Sequence, residues 1–252
     1  MAMAILSQSD CLSAWVTAVK QLNSCPGREA NDVMIEVLNP ATEICATHPA
    51  FRSADAFLTE RAKPVATVAN TIFPQTTYER HGAPDFYSVF NSLIRKLRTG
   101  DKWSGYYFER MTTHERYDGS VSNPLQDIID RLSHPKVTSK NKFELPIFDL
   151  DRDVNMSPYG GQCLSHLSFK VVSGDRGALN LTCVYRNHHY IKKLLGNLVG
   201  LSRLQKFVAE QANLNVGSLV ILSTHAEIDK PPGTKQSEVN ALIHQITTFL
   251  NN

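Results

Sequence analysis

Hydrophobic residues recur along this chain at two periods. Between residues 11 and 22, Leu12, Trp15, Val16, Val19 and Leu22 fall three or four apart, which predicts an amphipathic helix ending before Cys25-Pro26-Gly27. Residues 33–38 (VMIEVL) predict a strand stopped by Asn39-Pro40. Helical spacing returns over 86–97 and again over 125–132, the second opened by Asn123-Pro124. The second half is more regular. Residues 143–148, 167–172 and 179–185 predict strands, the last two joined as a hairpin by the turn Ser173-Gly174-Asp175-Arg176-Gly177. The longest helical pattern follows over 195–214, with Leu198, Leu201, Leu204, Phe207, Val208 and Leu214 largely on one face, the mark of a core helix. A strand at 218–222 (SLVIL) and a closing helix over 237–250 complete the series. The stretches around Pro64, Pro74 and Pro84 read as surface loops. No repeat or linker interrupts the pattern, so one domain over 1–252 of the α/β (α+β) class is expected.

Composition narrows the function classes. The 252 residues, 42% of them hydrophobic, suffice for one substantial core. The 26 basic residues nearly cancel 24 acidic ones, so the chain lacks the broad positive field of a non-specific nucleic-acid binder. A small charged ligand fits better than a long polyanion. The first residues, up to Leu6, carry no basic region, and their apolar run is too short for a secretion signal or a membrane helix. A cytoplasmic location with no membrane partner is therefore expected. The five cysteines show no CxxC spacing, which suits a reducing compartment and gives neither a disulfide framework nor a zinc signature.

Reactive and ligand-binding residue types concentrate between Cys163 and Asp229, near the ends of expected strands. Cys163 follows Gly160-Gly161-Gln162, where glycines let backbone approach a ligand, and it precedes a strand. Arg186 ends the next strand in VYRNHHY, where a fixed guanidinium can grip a phosphate bidentately. Asn197 stands beside Gly196 near the start of the long helix, and its amide both donates and accepts, as recognition of a heterocycle requires. Each has an ordinary use as well: core packing for the cysteine, a surface ion pair for the arginine, a local cap for the asparagine. His166, His188, His189 and His225 supply imidazoles, but their spacing matches no metal motif and no metal is expected. Trp103, in GDKWSGYY, is either the wall of a ligand cleft or a core residue.

The order of these segments resembles thymidylate synthase and its relatives, the pyrimidine-nucleotide hydroxymethylases. GGQCLSHLSFKVV is similar to that family's nucleophile strand, VYRNHH to its arginine segment and LLGNLVGL to its asparagine helix. Upstream, YYFERM around Tyr107 resembles its Tyr-Gly-x-x-Trp turn, and NPLQDIIDRL followed by Ser139-Lys140 resembles a helix and phosphate loop. The resemblance implies a mixed sheet with a long central core helix and surrounding helices. It implies Cys163 and Asn197 as the catalytic pair, with the cysteine attacking C6 of a uracil-type nucleotide and the asparagine holding the base edge. Asn rather than Asp at that position favours a uracil-like base. Arg186, Asn187 and Lys140 would hold the phosphate, and Tyr107 would lie in the substrate site. His189 and Trp103 would face a folate, which makes 5,10-methylenetetrahydrofolate the implied one-carbon donor. A phosphate site completed by a partner subunit implies a homodimer.

The departures from the family pattern matter as much. Its histidine after the nucleophile is Leu164 here, a nearby glutamine is Ser168, its folate-associated aspartate is His189 and the neighbouring glycine is Lys193. One phosphate arginine becomes Lys140 and the other Asn141, while Asn70 stands for its helical glutamate. Its sugar-binding His-x-Tyr becomes Glu227-x-Asp229, two carboxylates able to accept from ribose hydroxyls. Two functions stay open: a transferase acting at C5 of a uracil-type nucleotide, and a noncatalytic nucleotide-binding relative, a sensor or partner subunit, that has lost folate chemistry.

Overall fold

The computed structural model describes residues 3–42, 46–97, 105–139, 141–154 and 161–250, with side chains from Ser7 onward. In chain order its elements begin with β1 (Met3–Gln8), α1 (Cys11–Asn23) and β2 (Glu29–Val37). Helices α2 (Pro49–Arg61), α3 (Val65–Asn70), α4 (Gln75–His81), α5 (Asp85–Leu97) and α6 (Tyr107–Thr112) follow. A short ribbon, β3 (His114–Glu115) with β4 (Val121–Ser122), leads to α7 (Pro124–Ser133), β5 (Phe143–Pro146) and α8 (Leu150–Asp153). The remainder is β6 (Leu164–Val172), β7 (Ala178–Tyr185), β8 (His188–His189), α9 (Leu194–Gln211), β9 (Asn215–Glu227) and α10 (Gln236–Leu250).

Seven strands form one sheet in the order β1-β2-β9-β7-β6-β5, with β8 pairing β9 beyond the end of β7. The sheet is mixed. Strands β1 and β2 run parallel, as do β7 and β8 with β9, while the β2–β9, β6–β7 and β5–β6 pairs are antiparallel. Alternation along the strands decides which face is dry. Val33, Ile35 and Val37 of β2, Leu219 and Ile221 of β9, and Leu179, Leu181 and Cys183 of β7 all lie in the buried core. Helices α1 and α9 pack together within that core, and α9 lies against β7 and β9. The expected α/β class, with a mixed sheet and a long core helix, is what the structure has.

Two features fix α9 in place. A register shift between Leu179 and Leu181 interrupts the β7–β9 ladder, and the buried Gln205 amide donates to the carbonyls of Leu179 at 2.7 Å and of Gly217 and Ser218 at 3.1 Å. On its other side α9 meets α3 at backbone distance. A Cβ on Gly196 would stand 2.5 Å from the Val68 Cβ, and one on Gly200 would stand 2.7 Å from the Ala69 carbonyl oxygen. Glycines that weaken an isolated helix are here what lets α3 dock beside Asn197.

The proline stretches overturn the loop expectation. Pro64 and Pro74 stand immediately before α3 and α4, and Pro84 immediately before α5. Proline is compatible with a helix start because the first N–H groups have no intrahelical partner. Val65, Val68, Ala69, Ile72 and Phe73 are consequently buried helix and turn residues. The last strand is longer at both ends than the apolar run 218–222, because Asn215 and Val216 pair with β7 while Ser223, His225, Ala226 and Glu227 pair with β2. The long helix stops at Gln211, short of Leu214. Among the described residues no helix is long and apolar enough to cross a membrane.

Candidate functional site

The β6–β7 hairpin sets Cys163 opposite Arg186. Cys163 immediately precedes β6, Arg186 immediately follows β7, and Leu164 pairs with Tyr185 between them. The Arg186 N–H donates to the Cys163 carbonyl at 2.9 Å, and its Nε donates to the Gln162 carbonyl at 3.0 Å. Nε thus helps anchor the guanidinium while the residue as a whole remains exposed. Gln162 is buried, and its Nε2 donates to the Gly105 carbonyl at 3.1 Å, tying the strand start to the turn before α6. There the Tyr107 hydroxyl lies against the backbone amides of Leu164 and Cys163. Burial pushes the half-buried Cys163 thiol up from its ordinary value, and the Arg186 and Lys193 cations pull it back, with burial prevailing. Lys193, at the N-cap of α9, is itself held below the usual lysine range, first by burial and then by Lys63 and Lys192, while Cys163 and Asp229 oppose the shift.

Asn197 sits in the first turn of α9 and is 3% exposed. Its Nδ2 lies 2.9 Å from Nε2 of His188, whose Nδ1 lies 3.0 Å from the Ser223 hydroxyl. The His188 ring stacks on Tyr185, centroids 4.0 Å apart at 11°, and meets Tyr190 edge-on. Asn197 is therefore joined through His188 to Tyr185, the residue opposite Leu164. Burial lowers the His188 pKa to about 3, with the neighbouring His189 adding to the effect, so the ring is neutral near pH 7.

The other expected ligand contacts form a second polar chain. Asn187 Oδ1 accepts from His225 Nδ1 at 2.8 Å, and Asn187 Nδ2 lies 3.3 Å from His189 Nε2. Glu227 pairs with His189 at 3.0 Å, and Glu29 lies 3.6 Å from His225. Asp229 is buried; its Oδ1 accepts from the N–H groups of Ile191 at 2.9 Å and Lys192 at 3.3 Å, closing the turn into α9. Residues expected at a phosphate, a folate and a sugar are thus bonded to one another. The Asp229 carboxylate also pairs with the Lys192 ammonium at 3.3 Å, one residue before Lys193. Lys140 and Trp103 lie outside the described residues. Asn141 is exposed and accepts from the Ser139 hydroxyl. Asn70 ends α3 with a buried Oδ1 that has no hydrogen-bond partner among the described residues, one residue before Thr71, whose carbonyl accepts from the Phe108 N–H at 3.0 Å.

No protein-family model matches the chain. Over 134 residues it is 25% identical to a protein of Methanococcoides burtonii described as "Putative thymidylate synthase". The match takes in 53% of this chain and 58% of that relative's length. The relationship to that family is distant.

Sequence reading missed the parts that hold the site rather than those that would touch a ligand. Arg110 of α6 and Asp153 of α8 form a buried bidentate pair at 2.6 and 2.8 Å, 43 residues apart, with no local signal to betray them. Gly161, expected to bring backbone to a ligand, instead has φ of 71° and packs on Asp153, where a Cβ would stand 3.1 Å from the Asp153 Cβ. Nothing in its spacing sets His188 apart from the other histidines; its position on the buried side of β8 separates it from His189. The arrangement that results combines a thiol, two cations and a tyrosine hydroxyl, which suits attack on an electrophilic carbon of an anionic ligand.

Proposed function

We propose that the chain binds a uracil-type nucleotide beside Cys163 and Arg186, and that Cys163 adds to C6 of the base as the opening half of a modification at C5. The observation that carries this reading is Cys163 facing Arg186 across the β6–β7 pair, with Lys193 and Tyr107 around the thiol. The distant likeness to a thymidylate synthase-type protein supports the same chemistry. In the step, the thiol of the partly exposed Cys163 gives its proton to water, the thiolate forms a bond to C6, and the electrons of the C5–C6 double bond move onto the C4 oxygen as an enolate, leaving C5 nucleophilic. Arg186 and Lys193 favour the thiolate and attract the phosphate, and Asn197 reads the base edge.

The residues at the folate-contacting positions do not fit that cofactor as the resemblance has it. The His189 ring is engaged by Glu227 and Asn187, and Lys193 places a cation where the resemblance has a glycine. The homodimer implied by the resemblance has a surface to use: on the second face of the sheet, exposed Met34 registers with half-buried Leu222 and Val184.

A noncatalytic nucleotide-binding role is the second reading, favoured by the net rise of the Cys163 pKa on burial. Mass spectrometry separates the two. Incubation with 5-fluoro-dUMP, with and without methylenetetrahydrofolate, is expected to add one nucleotide to the peptide containing Cys163, and Cys163→Ser to abolish the adduct. Reversible binding with no adduct under either condition establishes the noncatalytic reading, and absence of binding removes both.

A further inference from the structure

We propose that a cavity running along α9, apart from the Cys163 group, is a binding site for a flat aromatic acid that carries a single negative charge. The cavity measures about 440 Å³, within the range of small-molecule sites, and none of the residues placed above around Cys163 lines it. It stands or falls independently of the nucleotide reading.

Its floor is one side of α9. Val199, Arg203, Lys206 and Glu210 line it at steps of three and four residues, while Gln205, which holds the β7 and β9 carbonyls, points the other way. The walls come from α3, α4 and the chain between β2 and α2. Apolar rings face the space: Phe207 lies 5.2 Å from Phe73 and 5.0 Å from Tyr78, centroid to centroid, and Phe51 stands across from them on α2. Ala41, Ala46 and Ala66 line the same cavity, where longer side chains would fill it. A planar aromatic body fits such a space, because these rings offer it both faces and edges.

The rim decides the charge. It carries Arg203 and Lys206 against Glu79 and Glu210. Glu79 accepts from Gln75 Nε2 at 2.8 Å. The Lys206 ammonium stands 4.0 Å from Glu210, at the outer limit of an ion pair, and the two side chains are 49% and 50% exposed. A contact so long and so wet contributes little, so an acid on a ligand takes Lys206 from Glu210 at small cost and gains a charge-assisted hydrogen bond. A second negative charge would face Glu79 and Glu210, which excludes a polyphosphate.

Two dyes with the same rings test both halves of the assignment: 8-anilinonaphthalene-1-sulfonate, which has one acid group, and N-phenyl-1-naphthylamine, which has none. Fluorescence titration of the wild-type protein is expected to show one saturable site that prefers the sulfonate by about tenfold. No saturable binding, or equal affinity for the two dyes, overturns the proposal. Ala66→Trp fills the cavity from α3 and is expected to weaken both dyes more than about tenfold; unchanged binding by a folded variant places the dye elsewhere and overturns the site. Lys206→Gln, at an exposed position, is expected to remove most of the preference for the sulfonate, and an unchanged preference overturns the role of the cation. If Ala66→Trp does not fold, Lys206→Gln carries the test alone. Excess 5-fluoro-dUMP is expected to leave the dye bound. Displacement would put the dye at the nucleotide site and overturn the proposal while leaving the nucleotide reading intact.

Discussion

His188 and His189 are consecutive residues of a two-residue strand, yet they occupy opposite physical worlds. His188 is 1% exposed among Tyr185, Tyr190, Asn197 and Ser223, and burial holds it neutral. The His189 side chain is 32% exposed and lies 3.0 Å from Glu227 and 3.7 Å from Asp229. Alternation along a strand sends the two rings to different sides, and the dielectric of each side decides what an imidazole can do there. The inner ring acts by the geometry of its hydrogen bonds. The outer ring acts as one member of a chain of polar contacts.

The same division separates Arg110–Asp153 from the surface cluster around Glu144. The Arg110 and Asp153 side chains are 5% and 0% exposed, and Asp153 also accepts from the Asp149 N–H. Removing one member leaves the other charge buried and unpaired, so Asp153→Ala is expected to lower stability by about 3–5 kcal/mol. Chemical denaturation measures it. A loss under about 1 kcal/mol would place the pair with surface ion pairs and end the distinction between the regions.

The contrast of the two histidines has its own signature in pH. An unfolded histidine takes up its proton near 6.5, whereas His188 in the folded chain does so only at about 3. Between these values the unfolded state binds one more proton, so stability falls as pH falls through that window, by about 1.4 kcal/mol per pH unit from this group. His188→Phe is expected to flatten that part of the stability profile. Denaturant titrations at several pH values between 4 and 7 provide the comparison, and parallel profiles for wild type and variant would mean that the buried ring protonates without opening.

These pairings explain what was legible beforehand. Amphipathic periods in α1, α5, α7, α9 and α10 were readable because each presents a continuous apolar stripe to one core. Helices α3 and α4 were not, since each is only one to two turns long and begins after a proline that reads equally as a loop. Cys163 and Arg186 were legible as residue types at strand ends. Their juxtaposition was not, because it depends on Leu164 registering with Tyr185. The same holds for Asp229: a carboxylate after a strand suggests a ligand acceptor, and only tertiary structure shows it bound to the backbone of Ile191 and Lys192.

The smallest effect is expected at a cluster whose contacts are exposed to water. Glu144 on β5 faces His166 at 2.7 Å, Ser168 at 3.1 Å and the Lys170 ammonium across the strand pair. Burial raises its carboxyl, but Lys170, His166 and Ser168 together hold it below the ordinary value. The Glu144, His166 and Lys170 side chains are nevertheless 42%, 36% and 38% exposed, so water screens the cluster and ordering the long side chains offsets much of the attraction. Glu144→Gln is expected to change stability by less than about 1 kcal/mol, and a double-mutant cycle with Lys170→Ala to give a coupling of the same small size that shrinks with added salt. These residues share a sheet face with Met34, Val184 and Leu222, the face proposed above for a second copy of the chain. A coupling of several kcal/mol that grows with protein concentration would show the cluster desolvated by a partner. It would move Glu144 from the outer class of polar groups to the inner one.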